Sequence, residues 1–144
     1  MTPPRLPRRP RGFTLLELTV TLAVAGVLAT LAWGGYGHCL LKARRAEGRA
    51  ALLQALLQEE RQFSADHIYR AFLPDKRELQ FTWFSGDSPQ HSAYQLGAQA
   101  CPGEGLDSCV RVTATPAGIH RDEHCGALFA DTMGRRGPSA DGCW

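Results

Sequence analysis

The chain has 144 residues, with 16 Lys and Arg against 14 Asp and Glu and a formal net charge of +2, a length that suits one domain and not two of ordinary size. Four arginines lie within residues 1–12 without an acid, and beyond them acids outnumber bases 14 to 12. The basic balance therefore belongs to a proline-rich head, which is predicted to be a targeting segment and is no argument for a nucleic-acid partner.

An apolar run follows this head. No Asp, Glu, Lys or Arg occurs from Leu18 to Leu41, and a helix of about 20 apolar residues is long enough to span a bilayer. No small-residue cleavage site ends the run, which continues into KARRAEGRAALLQALLQEERQF with helical periodicity. We predict that residues 13–41 form a transmembrane helix that the mature protein retains, with the arginine head cytoplasmic.

A single acid, Glu17, stands at the start of the apolar run. One interpretation is an ordinary first-turn acid, which is favourable at the positive end of a helix dipole. The other is that cleavage between Gly12 and Phe13 frees an α-amino group, and that Glu17 pairs with this group on a neighbouring chain. Burying an acid in a membrane costs roughly 2.5–3.5 kcal/mol, which an opposite charge offsets. We favour the second interpretation.

These residues carry a resemblance. A short basic leader, then Gly12, Phe13, Thr14, Leu15, Leu16 and Glu17 ahead of a long apolar helix, is similar to the prepilin signature of type IV pilins and their relatives. The resemblance implies removal of residues 1–12 by a prepilin peptidase, N-methylation of Phe13, and a role for Glu17 in subunit assembly. It also implies an inner-membrane protein with a periplasmic head that later enters a pilus, with other major and minor pilins and the inner-membrane assembly platform as partners.

An amphipathic segment, residues 42–66, continues the helix. Apolar residues recur at Ala46, Ala50, Leu53 and Leu57, a 4, 3, 4 spacing that places them on one helical face. We expect this face to pack against a sheet and the charged residues between them to face solvent.

Residues 67–144 are predicted to form a globular head. Short strands are expected at 79–84, 94–98, 110–115 and 127–130, the first two separated by the turn-forming sequence SGDSP. One long helix followed by three or four short strands indicates an α+β fold with a small antiparallel sheet packed on the helix.

Five cysteines favour an oxidising compartment. Sequence alone leaves many pairings open. The stretch HCGALFADTMGRRGPSADGCW is similar to the C-terminal region of PilE-like minor pilins of type IVa systems, and this resemblance, with proximity in sequence, implies the pairs Cys101–Cys109 and Cys125–Cys143. Cys39 is left over in the apolar helix, where a thiol behaves as a small hydrophobe.

The function expected first is therefore a structural minor pilin that contributes to pilus assembly or initiation. One alternative is a type II secretion pseudopilin, which shares the N-terminal signature. Another is a DNA-binding competence pilin, for which the contacts would come from a set of head residues. This set is Arg111, Arg121, Arg135, Arg136 and Trp144. Five acids lie in the same region, so this part of the head is not purely basic. We therefore interpret these arginines first as solvated surface charges and second as contacts for nucleic acid.

No enzyme motif is found in the sequence, and no cofactor is expected. Two histidines, a carboxylate and a thiol lie close together at His120, Asp122, His124 and Cys125. Their spacing does not match a structural zinc site, and a disulfide accounts better for the cysteine, so no metal is expected.

Overall fold

The computed structural model describes residues 12–74, 81–118 and 120–144, with the backbone but not the side chains of residues 31–34. The chain divides into two compact units, Met1–His38 and Cys39–Trp144. The elements in chain order are α1 (Leu15–Asp66), β1 (Tyr94–Ala100), β2 (Val110–Pro116), β3 (Leu128–Asp131) and β4 (Arg136–Gly137). Of the predicted leader, residues 1–12, all but Gly12 lie outside the described residues.

In the first unit, the helix presents its apolar side chains to the surroundings. Every large apolar residue described from Phe13 to Leu28 is more than half exposed. Among the described residues no single helix is long and apolar enough to cross a membrane, although the segments Leu15–Thr30 and Gly35–Asp66 meet the requirement together by length and composition.

In the second unit, a different face of α1 from the predicted one packs on the sheet. The buried positions are Arg45, Gly48, Leu52, Ala55 and Glu59. The expected stripe of Ala46, Ala50, Leu53 and Leu57 is exposed, with Leu53 and Leu57 at 51% and 60%. The predicted face was therefore wrong.

The reason for this error is that both charged residues of the buried face have partners inside the head. Arg45 pairs with Asp122, and Glu59 accepts a backbone hydrogen bond from Arg70. A pattern of apolar residues does not reveal such partners, although buried charges are tolerated when they are paired. Gly48 also belongs to this face because the Tyr94 ring occupies the space of a side chain, with Cδ2 2.7 Å from the point where a Cβ atom of residue 48 would lie.

Within the described residues, four strands form one antiparallel sheet in the order β1-β2-β3-β4. Alternate residues point toward α1, as the two-residue period of a strand requires. Tyr94, Leu96, Val110, Val112 and Leu128 are fully buried and share one core with Leu52 and Ala55 of the helix. The predicted α+β class, one long helix and a small antiparallel sheet, is confirmed.

The strand predicted at 79–84 is not observed in its described part. Residues 79 and 80 lie outside the described residues, and the remainder is extended chain with a single bridge from Phe84 to Gln95. A second bridge joins Phe72 to Ala98. Both bridges lie along the free edge of β1, so these segments cover an edge that would otherwise be open to pairing with another chain. The two-residue strand β4 was not predicted.

Two disulfides close loops in the head. Cys101 joins Cys109 and Cys125 joins Cys143, with Cα atoms 5.5 and 5.6 Å apart. These are the pairs that the resemblance implied. Cys39 is a free, exposed thiol.

Candidate nucleic-acid interface and assembly helix

A buried carboxylate pairs with two of the four head arginines that were predicted from the sequence as possible DNA contacts. Asp131, at the end of β3, accepts a hydrogen bond from Arg111 at 3.2 Å and from Arg135 Nε at 2.8 Å. Its other oxygen accepts the backbone N–H of Arg135 at 2.9 Å. Burial alone would raise the pKa of Asp131, but these donors outweigh it and hold the pKa below the ordinary value.

Arg111 is further restrained by an aromatic ring. Its guanidinium carbon lies 4.3 Å from the centre of the Phe129 ring, the geometry of a cation–π contact. The side chain is 20% exposed, against 48% for that of Arg135. Arg111 is thus held mainly by intramolecular contacts, whereas about half of the Arg135 side chain is exposed.

The other predicted contact residues are less restrained. Arg136 is exposed, and its guanidinium carbon lies 5.8 Å from the centre of the Trp144 ring. Arg121 is exposed on the loop between β2 and β3, and no carboxylate among the described residues lies within 4.0 Å of it. The structure therefore brings Arg135, Arg136 and Trp144 together and leaves Arg121 apart from them.

These three residues border a groove of about 620 Å³ between α1 and the β3–β4 turn. Its helix wall consists of Ala46, Arg49, Ala50, Leu53 and Leu56. Arg49 was not selected from the sequence, where it appeared as one of several solvated helix charges. Because Arg49 and the β3–β4 turn are distant in sequence, their proximity arises only from packing of the helix on the sheet.

A second buried ion pair ties α1 to the loop between β2 and β3. Arg45 donates from Nε and Nη2 to the two oxygens of Asp122, at 2.6 and 2.7 Å. The Tyr94 hydroxyl and the Cys125 backbone N–H also donate to this carboxylate. These bonds, led by those from Arg45, hold the pKa of Asp122 well below its usual range. Burial, followed by the Asp122 charge, raises the pKa of Tyr94 to about 12.

Three of the four residues considered for a metal are engaged elsewhere, and the fourth, His120, has only its Nδ1 near a partner, 3.3 Å from Arg44 Nη1. Asp122 is committed to Arg45, Cys125 to its disulfide, and His124 to the carbonyl of Asp141. The sulfurs of Cys101 and Cys109 lie near Asp131 but are likewise joined to each other. These donor sets therefore do not offer free thiolates to a metal ion.

At the start of α1, Thr14 caps the helix. Its Oγ1 accepts the backbone N–H of Glu17 at 3.3 Å, which satisfies one of the free donors of the first turn. Glu17 is exposed at the third helical position, where an acid is favourable. Capping by Thr14 thus accounts for part of the sequence Thr-Leu-Leu-Glu. The Glu17 carboxylate takes no part in the cap, so it is available to another chain.

Residues 7–33 match the prokaryotic N-terminal methylation motif. This match, with the helix and the small sheet, defines a prepilin-type exported subunit. Residues 35–129 match the family described as type IV minor pilin ComP, DNA uptake sequence receptor, and since this match covers more than half of the chain, the chain belongs to that family.

The structure is also similar to that of a type IV pilin from Shewanella oneidensis, with a TM-score of 0.49 and 23% sequence identity. The similar region covers 72% of this chain and 97% of that chain. At that score the likeness carries no argument. No curated protein matches the chain.

Family membership confirms the minor pilin interpretation. The chain is a structural subunit of a type IV pilus, so it ends in the pilus at the cell surface, and its class is processed by prepilin peptidase and assembles with other pilins. The family match favours this over the secretion pseudopilin.

Proposed function

We propose that this minor pilin binds DNA at the cell surface during DNA uptake. The observation that carries the proposal is the match of residues 35–129 to a family described as a DNA uptake sequence receptor. The sequence alone favoured solvated charges over DNA contacts as the interpretation of the head arginines. The family match makes DNA contacts the preferred interpretation.

The charges of the head support the proposal. Arg49, Arg121 and Arg136 have no carboxylate among the described residues within 4.0 Å, so their guanidinium groups are not neutralised by a neighbour. Free guanidinium groups bind phosphate oxygens and release counterions from DNA. Arg111 and Arg135 both pair with Asp131. One negative charge thus faces two positive charges, which leaves one excess positive charge.

Binding of duplex DNA by the full-length protein in detergent micelles tests this function. We expect the logarithm of the binding constant to fall linearly with that of the salt concentration, with a slope shallower by about 0.9 when one phosphate-contacting arginine is removed. Arg121→Ala and Arg136→Ala are the test variants. Arg61→Ala, which removes an exposed arginine from α1, is the matched control. Failure of the unmodified protein to bind any DNA at low salt would contradict the proposal.

Sequence selectivity needs a separate measurement. A receptor for an uptake sequence prefers fragments of the genome that encodes it over unrelated fragments of the same length. Competition between the two kinds of fragment measures this preference, and equal competition would show that binding is electrostatic and unselective.

The route to the pilus is a further part of the proposal. Prepilin peptidase would cut between Gly12 and Phe13, Phe13 would be methylated, and Glu17 would pair with the amino group of the adjacent subunit. Before assembly, the apolar helix of residues 13–41 would hold the protein in the inner membrane with the head in the periplasm. The exposed apolar side chains of this segment support the proposal, since they need lipid or other helices to cover them.

Substitution at the cleavage site tests the processing step. Gly12→Val places a branched side chain next to the expected scissile bond, where no described residue other than the chain neighbours lies within 4 Å of the point that a Cβ atom would occupy. A loss of processing would therefore reflect recognition by the peptidase and not a change of fold. N-terminal sequencing of the membrane protein should find Met1 in the variant and Phe13 in the unmodified chain.

A further inference from the structure

The groove between α1 and the β3–β4 turn combines two chemistries. Its floor is apolar, formed by Ala46, Ala50, Leu53 and Leu56 of the helix with Ala130 of β3. Three arginines, Arg49, Arg135 and Arg136, also line the groove, together with Trp144. A ligand that satisfies both must have a flat or apolar body and negative charge at its periphery.

The carboxylate in the groove cancels only part of this charge. Asp131 is fully committed to Arg111 and Arg135, and its side chain has no exposed surface. Its effect on Arg135 is positional, because the bond to Nε and the bond to the backbone N–H fix the guanidinium at the border of the groove. Arg49 and Arg136 have no carboxylate of the described chain within 4.0 Å.

We propose that this groove binds an unpaired segment of a DNA strand, with a base against the apolar floor and Trp144 and with the flanking phosphates on Arg49, Arg135 and Arg136. The proposal rests on the proposed function and specifies the form of DNA that this surface takes. Basic grooves with aromatic side chains are the general means of binding single strands, since each base offers an aromatic face.

A duplex fits the groove less well. In a duplex the base faces are stacked on one another, and the surface offers phosphates, sugars and base edges but no open base face. Such a ligand would satisfy the three arginines but would leave the apolar floor in contact with water. An unstacked base covers the floor, so the groove should favour strands with unpaired bases.

The apolar helix of a second copy is also a poor occupant. It has no acid between Leu18 and Leu41, so it would cover the floor but bring no negative charge to Arg49 and Arg136, which have no carboxylate of the described chain within 4.0 Å. An acidic peptide could supply that charge without an aromatic face for the floor and Trp144. The charge and shape of the groove therefore favour a nucleotide.

The experiment compares a labelled 12-nucleotide single strand with the duplex of the same sequence, using the full-length protein in detergent micelles at fixed low salt. Fluorescence anisotropy of the label measures binding. We expect the single strand to bind about tenfold more tightly than the duplex, the contribution of roughly one stacked base. Arg49→Ala, and likewise Arg49→Gln, should weaken single-strand binding several-fold and duplex binding much less. Trp144→Phe keeps an aromatic face, so it should weaken single-strand binding less than Arg49→Ala does.

Matched controls separate this inference from general electrostatics. Arg61→Ala removes an exposed arginine from α1 outside the groove and should affect both forms of DNA equally and weakly. An oligoglutamate peptide with the charge of the oligonucleotide should compete poorly. Near-ultraviolet circular dichroism verifies that each variant is folded, and Arg49→Gln replaces Arg49→Ala as the test variant should that chain fail to fold.

Three results would overturn the inference. These are equal or tighter binding of the duplex, equal effects of Arg49→Ala and Arg61→Ala, and effective competition by the acidic peptide. Any of them is compatible with duplex binding elsewhere on the head, so the proposed function would stand. A complete absence of DNA binding at low salt would remove both.

Discussion

Arg45 on α1 and Asp122 on the loop between β2 and β3 form a buried two-point ion pair, with distances of 2.6 and 2.7 Å. The side chains are 7% and 0% exposed. Asp122 also accepts the backbone N–H of Cys125, at the start of the Cys125–Cys143 disulfide loop. One carboxylate thus joins the helix to the disulfide loop that ends at Cys143, next to the groove-bordering Trp144.

Asp122→Ala should destabilise the head by about 3–5 kcal/mol, because it leaves the buried guanidinium of Arg45 without a counter-charge. Urea unfolding of the full-length protein in detergent, followed by near-ultraviolet circular dichroism, measures the change. The double variant Arg45→Met with Asp122→Leu should recover much of the loss, since no unpaired charge remains buried. A loss in the double variant as large as that in Asp122→Ala would show that packing, and not the charge, dominates at this site.

The same pair predicts a pH dependence. Because the folded state lowers the pKa of Asp122, the stabilising contribution is present above the ordinary aspartate pKa of about 3.9 and is lost as the pH falls toward the folded value. The difference in unfolding free energy between the unmodified protein and Asp122→Asn should therefore decrease on acidification below about pH 4. A difference that stays constant between pH 7 and pH 2 would contradict this.

Glu59 should show the opposite dependence. It is fully buried on α1, with one oxygen bonded to the Arg70 backbone N–H at 2.9 Å and the other without a partner among the described residues. Burial raises its pKa, and the bond from Arg70 opposes that effect only in part. The stabilising contribution is then present below the ordinary glutamate pKa of about 4.3 and is lost as the pH rises through the raised value.

The unmodified protein should consequently gain stability relative to Glu59→Gln when the pH is lowered from 7 to 4. Urea unfolding at the two pH values measures the gain. Glu123→Gln, at an exposed acid, is the matched control and should show little difference between them. An equal response of both variants would mean that Glu59 does not carry the effect.

Gly48→Ala should destabilise the head although alanine favours a helix. The added Cβ would lie 2.7 and 3.0 Å from atoms of the Tyr94 ring, and overpacking of this kind costs about 1–3 kcal/mol, against about 1 kcal/mol gained in helix propensity. Unfolding by urea measures the net change. In a double-mutant cycle, Gly48→Ala should cost less stability when Tyr94 is replaced by Leu, because the smaller side chain leaves room for the added Cβ. If the costs of the two substitutions simply add, the Tyr94 ring moves away from the added Cβ and no clash exists.

Glu17→Ala should leave processing and membrane insertion intact and reduce incorporation into pili. The reason is that the variant keeps the Gly12–Phe13 junction and the apolar helix but loses the charge proposed to pair with the neighbouring amino group. Quantitative immunoblotting of sheared pili and of the membrane fraction measures the two pools. Thr21→Ala, an exposed position on the same helix, is the control, and normal incorporation of Glu17→Ala would contradict the assembly role.

The order of elements follows from local sequence. A 24-residue run free of charged side chains, the Thr-Leu-Leu-Glu start of α1 and the alternating apolar residues of β1 and β2 are each recognisable within a short window. They predict a helix and a small sheet because helix and strand periodicities are properties of neighbouring residues. The disulfide pairs also connect cysteines that are near in sequence.

The tertiary structure decided which face of α1 is buried and which arginines remain free. Arg45 and Glu59 are buried because their partners, Asp122 and the Arg70 backbone, reach them from distant or irregular parts of the chain. Arg49 reaches the groove for the same kind of reason, through contacts between segments more than 80 residues apart. Pairing energies between such segments depend on their positions in space, and no local pattern of apolar residues encodes those positions.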